Sequence, residues 1–180
     1  MNYSGIKTHD VANGIGIRVS LFVSGCTHHC KGCFNPETWD FCYGEPFTEK
    51  EEEKIIEALA PSFIKGFSLL GGEPFEPQNQ KALLPLLEKI KKAYPEKDIW
   101  CYTGYTMDEE LLKKSRARTE LTDKMLAFID VLVDGEFVED EKDLNIRFRG
   151  SRNQRIIDVK ETLKTGKLVL AREYYEKKRG

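Results

Sequence analysis

Four short runs of β-branched and apolar residues punctuate this chain, and each ends in glycine or in a cysteine-rich loop. Residues 15–23 read as a buried first strand that stops where the cysteines begin. Residues 67–70 form a second strand that runs into Gly71, Gly72, Glu73 and Pro74. Residues 98–103 form a third, closed by Gly104, and residues 131–134 a fourth, closed by Gly135. Helical periodicity fills the gaps. Thr48 and Glu51 have capping-box spacing and open a helix to about Leu59, with Ile55, Ile56 and Leu59 on its apolar face. Residues 80–93, 107–114 and 122–129 are also helical in pattern, with Pro85 marking a start or a kink in the first of these.

Strands alternating with helices predict an α/β fold with a parallel sheet. Such folds place their chemistry at the C-terminal ends of the strands. The cysteine loop, Gly71–Gly72, Gly104 and Asp134–Gly135 all fall at that edge. After Phe137 the alternation fades. A fifth strand is expected near residues 167–170, and residues 149–155 are polar and cationic. The expected organisation is one domain over residues 1–180, with a core at about 13–157. A charged tail at about 171–180 is expected to be a helix or disordered.

Composition narrows the function classes. The formal net charge of −2 gives no global basic field to attract nucleic acid. No apolar run approaches the roughly 20 residues of a membrane span, and residues 1–7 lack the apolar core of a signal peptide. Five cysteines is an odd number, and Cys26, Cys30 and Cys33 crowd within eight residues. That is a poor disulfide framework and fits metal-bound thiolates in a reducing cytoplasm.

The spacing is C-x3-C-x2-C. Three close thiolates can hold three irons of a cubane cluster and leave the fourth open to a small molecule. A closed zinc site is the rival, with Cys42, His28 or His29 as fourth ligand, although zinc modules usually carry two separated cysteine pairs. A redox pair at Cys30 and Cys33 leaves Cys26 unexplained. Cys42 and Cys101 are expected to be free thiols, and His28 and His29 exposed loop histidines. The Gly71–Gly72 pair lets backbone approach a ligand closely, and carbonyls with Glu73 supply acceptors for an ammonium group. Thr103 and Asp134, at strand ends, are candidates for ligand contact or for turn capping.

The cysteine loop resembles that of the radical S-adenosylmethionine (SAM) superfamily, whose signature follows the first strand of a partial, incomplete TIM-like β/α barrel. The resemblance implies that Cys26, Cys30 and Cys33 ligate a [4Fe–4S] cluster. It implies that the open iron chelates the amine and carboxylate of SAM, and that one electron cleaves SAM to methionine and a 5′-deoxyadenosyl radical. It assigns the SAM amino group to Gly71, Gly72, Glu73 and Pro74, and adenine contact to backbone at Gly32, Cys33 and Phe34. Thr103 and Asp134 are placed near the ribose or carboxylate. Many superfamily members carry an aromatic residue just before the third cysteine; here that position is Gly32, and Phe34 follows the cysteine instead.

Further stretches resemble one branch, the activating proteins of anaerobic ribonucleoside-triphosphate reductase. They include residues 13–18, 21–26, 32–35, 98–100, 102–105, 131–135 and above all 149–155. Ile15 departs from the branch, which favours proline there. This resemblance implies an enzyme that places a glycyl radical near the C-terminus of the reductase. Arg149, Asn153, Gln154 and Arg155 are then expected to dock the partner's glycine loop. A low-potential donor such as flavodoxin, and a homodimer or heterotetramer with the reductase, belong to the same expectation. The alternatives are a radical SAM enzyme acting on a small molecule, such as a deazapurine synthase, and a non-catalytic iron–sulfur or zinc module.

Overall fold

A computed structural model describes residues 1–175 of the chain. Its centre is one open, mixed sheet of seven strands: β1 (Asn2–Asp10), β2 (Ile17–Val23), β3 (Glu45–Pro46), β4 (Ile64–Gly71), β5 (Asp98–Tyr102), β6 (Val131–Asp134) and β7 (Arg155–Asp158). Their spatial order is β3-β1-β2-β4-β5-β6-β7. The four strands read from sequence, β2, β4, β5 and β6, are mutually parallel. The expectation of an all-parallel sheet needs correction at both edges. β1 runs antiparallel to β2 and to β3, and β7 antiparallel to β6.

The physical reason is legible afterwards. β1 lies next to the edge, covered only at its start by the two-residue β3, and its half-exposed, mostly polar pattern hides it from a search for apolar runs. β7 is only four residues long and begins inside the cationic stretch. The expected strand near 167–170 is a single bridge, Ile157 to Leu170, rather than a strand.

Alternation along each parallel strand divides the core between two faces. Val19, Leu21, Val23, Phe67, Leu69, Ile99, Cys101 and Leu132 point to one face. There they meet α1 (Glu49–Leu59), α2 (Pro77–Ala93), α3 (Thr122–Phe128) and α4 (Val159–Thr165) through Ile55, Leu86, Met125, Val159 and their neighbours. The capping box of α1 forms as expected. Pro85 lies inside α2 and does not end it, because its position is exposed and water can take the carbonyl it leaves unbonded. The expected helix at 107–114 is one wide turn over Met107–Leu111. α4 had no sequence expectation.

Among the described residues, no α-helix covers the other face. It carries a smaller cluster of Trp100, Val131, Val133, Ile156 and Ala171. Beside it sits a fully buried Arg18, which pairs with Asp98 at 2.6 Å and lies over Trp100. Its remaining donors reach Ser68 Oγ and the Phe67 and Ile15 carbonyls. The expected tail at 171–180 begins with a short 3-10 turn, Arg172–Tyr174; residues 176–180 lie outside the described residues. Among the described residues, no helix is long and apolar enough to cross a membrane.

Candidate active site

A cavity of about 450 Å³ opens at the C-terminal ends of the parallel strands and extends onto the helix-free face. Its wall brings together Cys26, Cys30, Cys33, Phe34, Gly71, Gly72, Glu73, Thr103, Arg149 and Gln154, all singled out from sequence. Five other singled-out residues, Gly32, Pro74, Asp134, Asn153 and Arg155, are not part of that wall. Neither are Cys42, which is exposed, and Cys101, which is buried in the helix-covered core.

The cysteine loop is pinned at its start. Gly25 N–H donates to the Thr38 carbonyl at 2.8 Å, and the Gly25 carbonyl accepts from Glu73 N–H at 2.8 Å. The Gly72 N–H donates to the Val23 carbonyl at 2.7 Å. This turn tolerates no side chains. Gly71 has a φ of +112°, and a Cβ on Gly72 would stand 2.7 Å from the Gly25 carbonyl oxygen. The loop after β2 and the turn after β4 are therefore interlocked backbones.

Asn35 N–H donates to Cys33 Sγ at 3.5 Å, and the backbone at His28 and at Phe137 favours the thiolates of Cys26 and Cys30. Burial pushes the Cys26 thiol up to about 12 and raises that of Cys30 as well, despite this. Main-chain donors aimed at sulfur are the arrangement that stabilises iron-bound thiolate and tunes a cluster. Among the described residues, no three His, Cys, Asp or Glu side chains gather around one point, as a single zinc ion requires. Thiolates of a cubane each take a different iron and stand apart. The donor set thus fits a cluster.

Glu73 is fully buried and its carboxylate is saturated. One oxygen accepts from Phe75 N–H and from the Thr103 hydroxyl, both at 2.8 Å. The other accepts from Gly104 N–H at 2.8 Å and from His28 at 3.1 Å. Thr103 therefore serves Glu73. Glu76 reinforces the same junction by accepting from Thr27 N–H at 2.9 Å.

His28 corrects an expectation. It is not an exposed loop histidine: its side chain is 3% exposed. Its second ring nitrogen reaches Glu136 at 2.7 Å, and the ring packs on Tyr105 with centroids 4.3 Å apart. Burial alone would lower its pKa, but the hydrogen bonds to Glu73 and Glu136 raise it. No sequence signal separated it from His29, which packs edge-on against Trp39. The missing signal was the pair of acids, one at each of two distant strand ends.

Asp134 is fully buried beneath the wall. It accepts from Arg155 at 2.9 and 2.6 Å and from Met107 N–H at 2.8 Å. Arg155 also holds Asp108 at 2.6 Å. Asn153 donates to the Glu136 carbonyl at 2.8 Å, and Gln154 to the Gly135 carbonyl at 2.9 Å while accepting from Gly150 N–H at 2.7 Å. These three side chains tie the 149–155 segment to the end of β6. Arg149 differs. It donates to the Gln154 carbonyl at 3.2 Å and its guanidinium lies 4.3 Å from the Tyr175 ring centroid, but its buried Nε has no partner among the described residues. Phe34 is 56% exposed and leans on Phe137 at the cavity mouth.

An α/β sheet whose strand ends carry three clustered thiols over a glycine turn defines an iron–sulfur protein, and the comparisons agree. Residues 12–157 match the family described as 4Fe-4S single cluster domain. The chain is 45% identical over 158 residues to the anaerobic ribonucleoside-triphosphate reductase-activating protein of Pasteurella multocida, covering 87% of this chain and 96% of that one. The protein of the same name from Escherichia coli K12 is 46% identical over 156 residues, covering 86% and 96%. That from Enterobacteria phage T4 is 40% identical over 158 residues, covering 87% and 93%. The chain belongs to the family of anaerobic ribonucleoside-triphosphate reductase-activating proteins, and its cofactor is a [4Fe–4S] cluster.

Proposed function

We propose that this protein activates anaerobic ribonucleoside-triphosphate reductase by installing a glycyl radical on it. One observation carries the reading: Cys26, Cys30, Cys33 and the Gly71–Gly72–Glu73 turn share one cavity at the ends of four parallel strands. In this reading the sheet is a partial barrel of the radical SAM type, and residues 1–180 act as a single domain. Cys26, Cys30 and Cys33 hold the cluster. Bound there, it supplies the electron that cleaves SAM to methionine and a 5′-deoxyadenosyl radical, which takes the Cα hydrogen of the target glycine.

The chain's own residues bind, orient and exclude. Carbonyls of the Gly71–Pro74 turn accept from the SAM amino group, held in place by a Glu73 whose oxygens are already fixed. Backbone at Gly32, Cys33 and Phe34 borders the adenine. Thr103, on the wall, orients Glu73, and Asp134, behind it, orients Arg155. Arg149, Asn153, Gln154 and Arg155 form the segment that receives the partner; Arg149 presents the cation, and the other three fix its backbone. Glycine suits the target because it has no side chain to block a narrow cavity, and the incoming loop itself displaces water. A flavodoxin-like donor, a cytoplasmic setting, and a homodimer or a heterotetramer with the reductase complete the proposal.

The test mixes reduced protein, SAM and the reductase without oxygen and records electron paramagnetic resonance. A glycine-centred doublet is expected. Formation of 5′-deoxyadenosine with no such signal would instead favour a small-molecule substrate.

A further inference from the structure

We propose that His28 is a positioning residue that registers the cysteine loop on the Gly71–Glu73 turn, and so fixes where the amine-accepting carbonyls stand relative to the cysteine sulfurs. This rests on the functional reading above. His28 comes from the loop after β2. Its Nε2 meets Glu73 after β4, and its Nδ1 meets Glu136 after β6. Its ring packs on Tyr105 after β5, where a Cβ on Gly104 would stand 2.7 Å from the imidazole. One side chain therefore touches the ends of all four parallel strands.

Imidazole suits this place. It is rigid and planar, and when it carries both ring protons it donates from two sides of the ring, one toward each carboxylate. A lysine or arginine in its place would bring a flexible stem, and an amide could serve only one carboxylate well. Glu73 is the element that transmits the effect. Without His28, one of its oxygens keeps a single donor, the Gly104 N–H, and the turn that presents its carbonyls loses its side-chain tie to the middle of the loop between Cys26 and Cys30. The bond from Glu73 N–H to the Gly25 carbonyl and the link from Glu76 to Thr27 remain, so the loop stays attached at its start while the segment from His28 onward loses its register.

The experiment separates positioning from general packing by using two probes on anaerobically reconstituted protein. SAM and 5′-methylthioadenosine share adenosine and sulfur, but only SAM carries the amino-acid end. For His28→Ala, SAM affinity is expected to fall roughly tenfold or more while methylthioadenosine affinity stays within about twofold and iron and sulfide contents are unchanged. His28→Gln, which keeps one N–H for Glu73, is expected to restore most of the SAM affinity. A parallel loss for both probes, a loss of iron, or unchanged SAM binding overturns the proposal. Should His28→Ala fail to fold, Glu136→Ala decides, since that side chain is 56% exposed and its removal leaves the core intact. A SAM-selective loss of about threefold supports the proposal, and no change overturns it. Wild-type protein that bound neither probe would overturn the functional reading itself, a separate and recognisable result.

Discussion

Arg155 lies directly across the β6–β7 pairing from Asp134 and grips both of its carboxylate oxygens, at 2.9 and 2.6 Å. The pair fastens the return strand that carries the 149–155 segment to the last parallel strand. Asp134 is fully buried, so removing its partner leaves an uncompensated charge. Arg155→Ala is expected to destabilise the fold by about 2–3 kcal/mol, below the range for fully buried pairs because Arg155 is part exposed. Urea unfolding followed by circular dichroism checks this; a loss under about 0.5 kcal/mol would show that the pair is surface decoration.

Arg155 also holds Asp108, and its hydrogen bond keeps the Asp108 carboxyl below its ordinary value of 3.8. A depressed carboxylate stabilises the fold above its unfolded pKa, and the contribution disappears as pH falls through the folded one. Asp108→Asn should therefore cost about 0.5–1 kcal/mol at neutral pH. The gap from wild type should close below about pH 4. A pH-independent gap would mean that shape, not charge, is what Asp108 provides.

The three cavity thiols should behave differently from the other two. Cys26→Ala, Cys30→Ala and Cys33→Ala are each expected to abolish the intact cluster, read as iron and sulfide per chain after anaerobic reconstitution. Cys42→Ala and Cys101→Ala should retain full iron, since the first is exposed and the second faces the helix-covered core.

Gly72→Ala places a methyl group 2.7 Å from the Gly25 carbonyl oxygen and 3.0 Å from that of Thr38. Both obstacles are backbone and cannot rotate away. The expected cost is about 1–3 kcal/mol in stability, together with weaker SAM binding by equilibrium dialysis. Normal binding would remove the turn from the proposed amine site.

Arg149 is expected to matter for the partner and not for the fold. Arg149→Ala should lower glycyl-radical yield on the reductase by roughly tenfold, since hydrogen bonds to charged groups are worth about 1.5–3 kcal/mol. Its unfolding midpoint should stay close to wild type. Unchanged partner binding and radical yield in both Arg149→Ala and Asn153→Ala would discard the docking role of this segment.

The sequence exposed the parts of this molecule that obey a repeating rule. β2, β4, β5 and β6 are legible because most of their residues are apolar and buried, and the glycines at or just after their ends mark the reactive edge. The thiol spacing is local and survives any fold. What stayed hidden depends on long-range company. β1 is half exposed, and β7 hides in a cationic stretch whose arginine is neutralised by an aspartate 21 positions earlier in the chain. His28 looked like its neighbour His29 until Glu73 and Glu136, 45 and 108 positions away, closed on it. Asp134 and Thr103 stood at the predicted strand ends, but only packing revealed that Asp134 lies off the cavity wall against Arg155 and that Thr103, on the wall, donates its hydroxyl to Glu73.

The backbone at His28, Asn35 and Phe137 favours the thiolate of one cysteine each, with the Asn35 amide donating to the Cys33 sulfur at 3.5 Å. An amide that belongs to the chain itself cannot be lost by exchanging a side chain. The ease with which this centre accepts its electron is thus written into the path of the polypeptide, out of reach of most point mutations. Ordinary sequence drift at these three positions leaves it untouched, and a proline, an insertion or a deletion is what would move it.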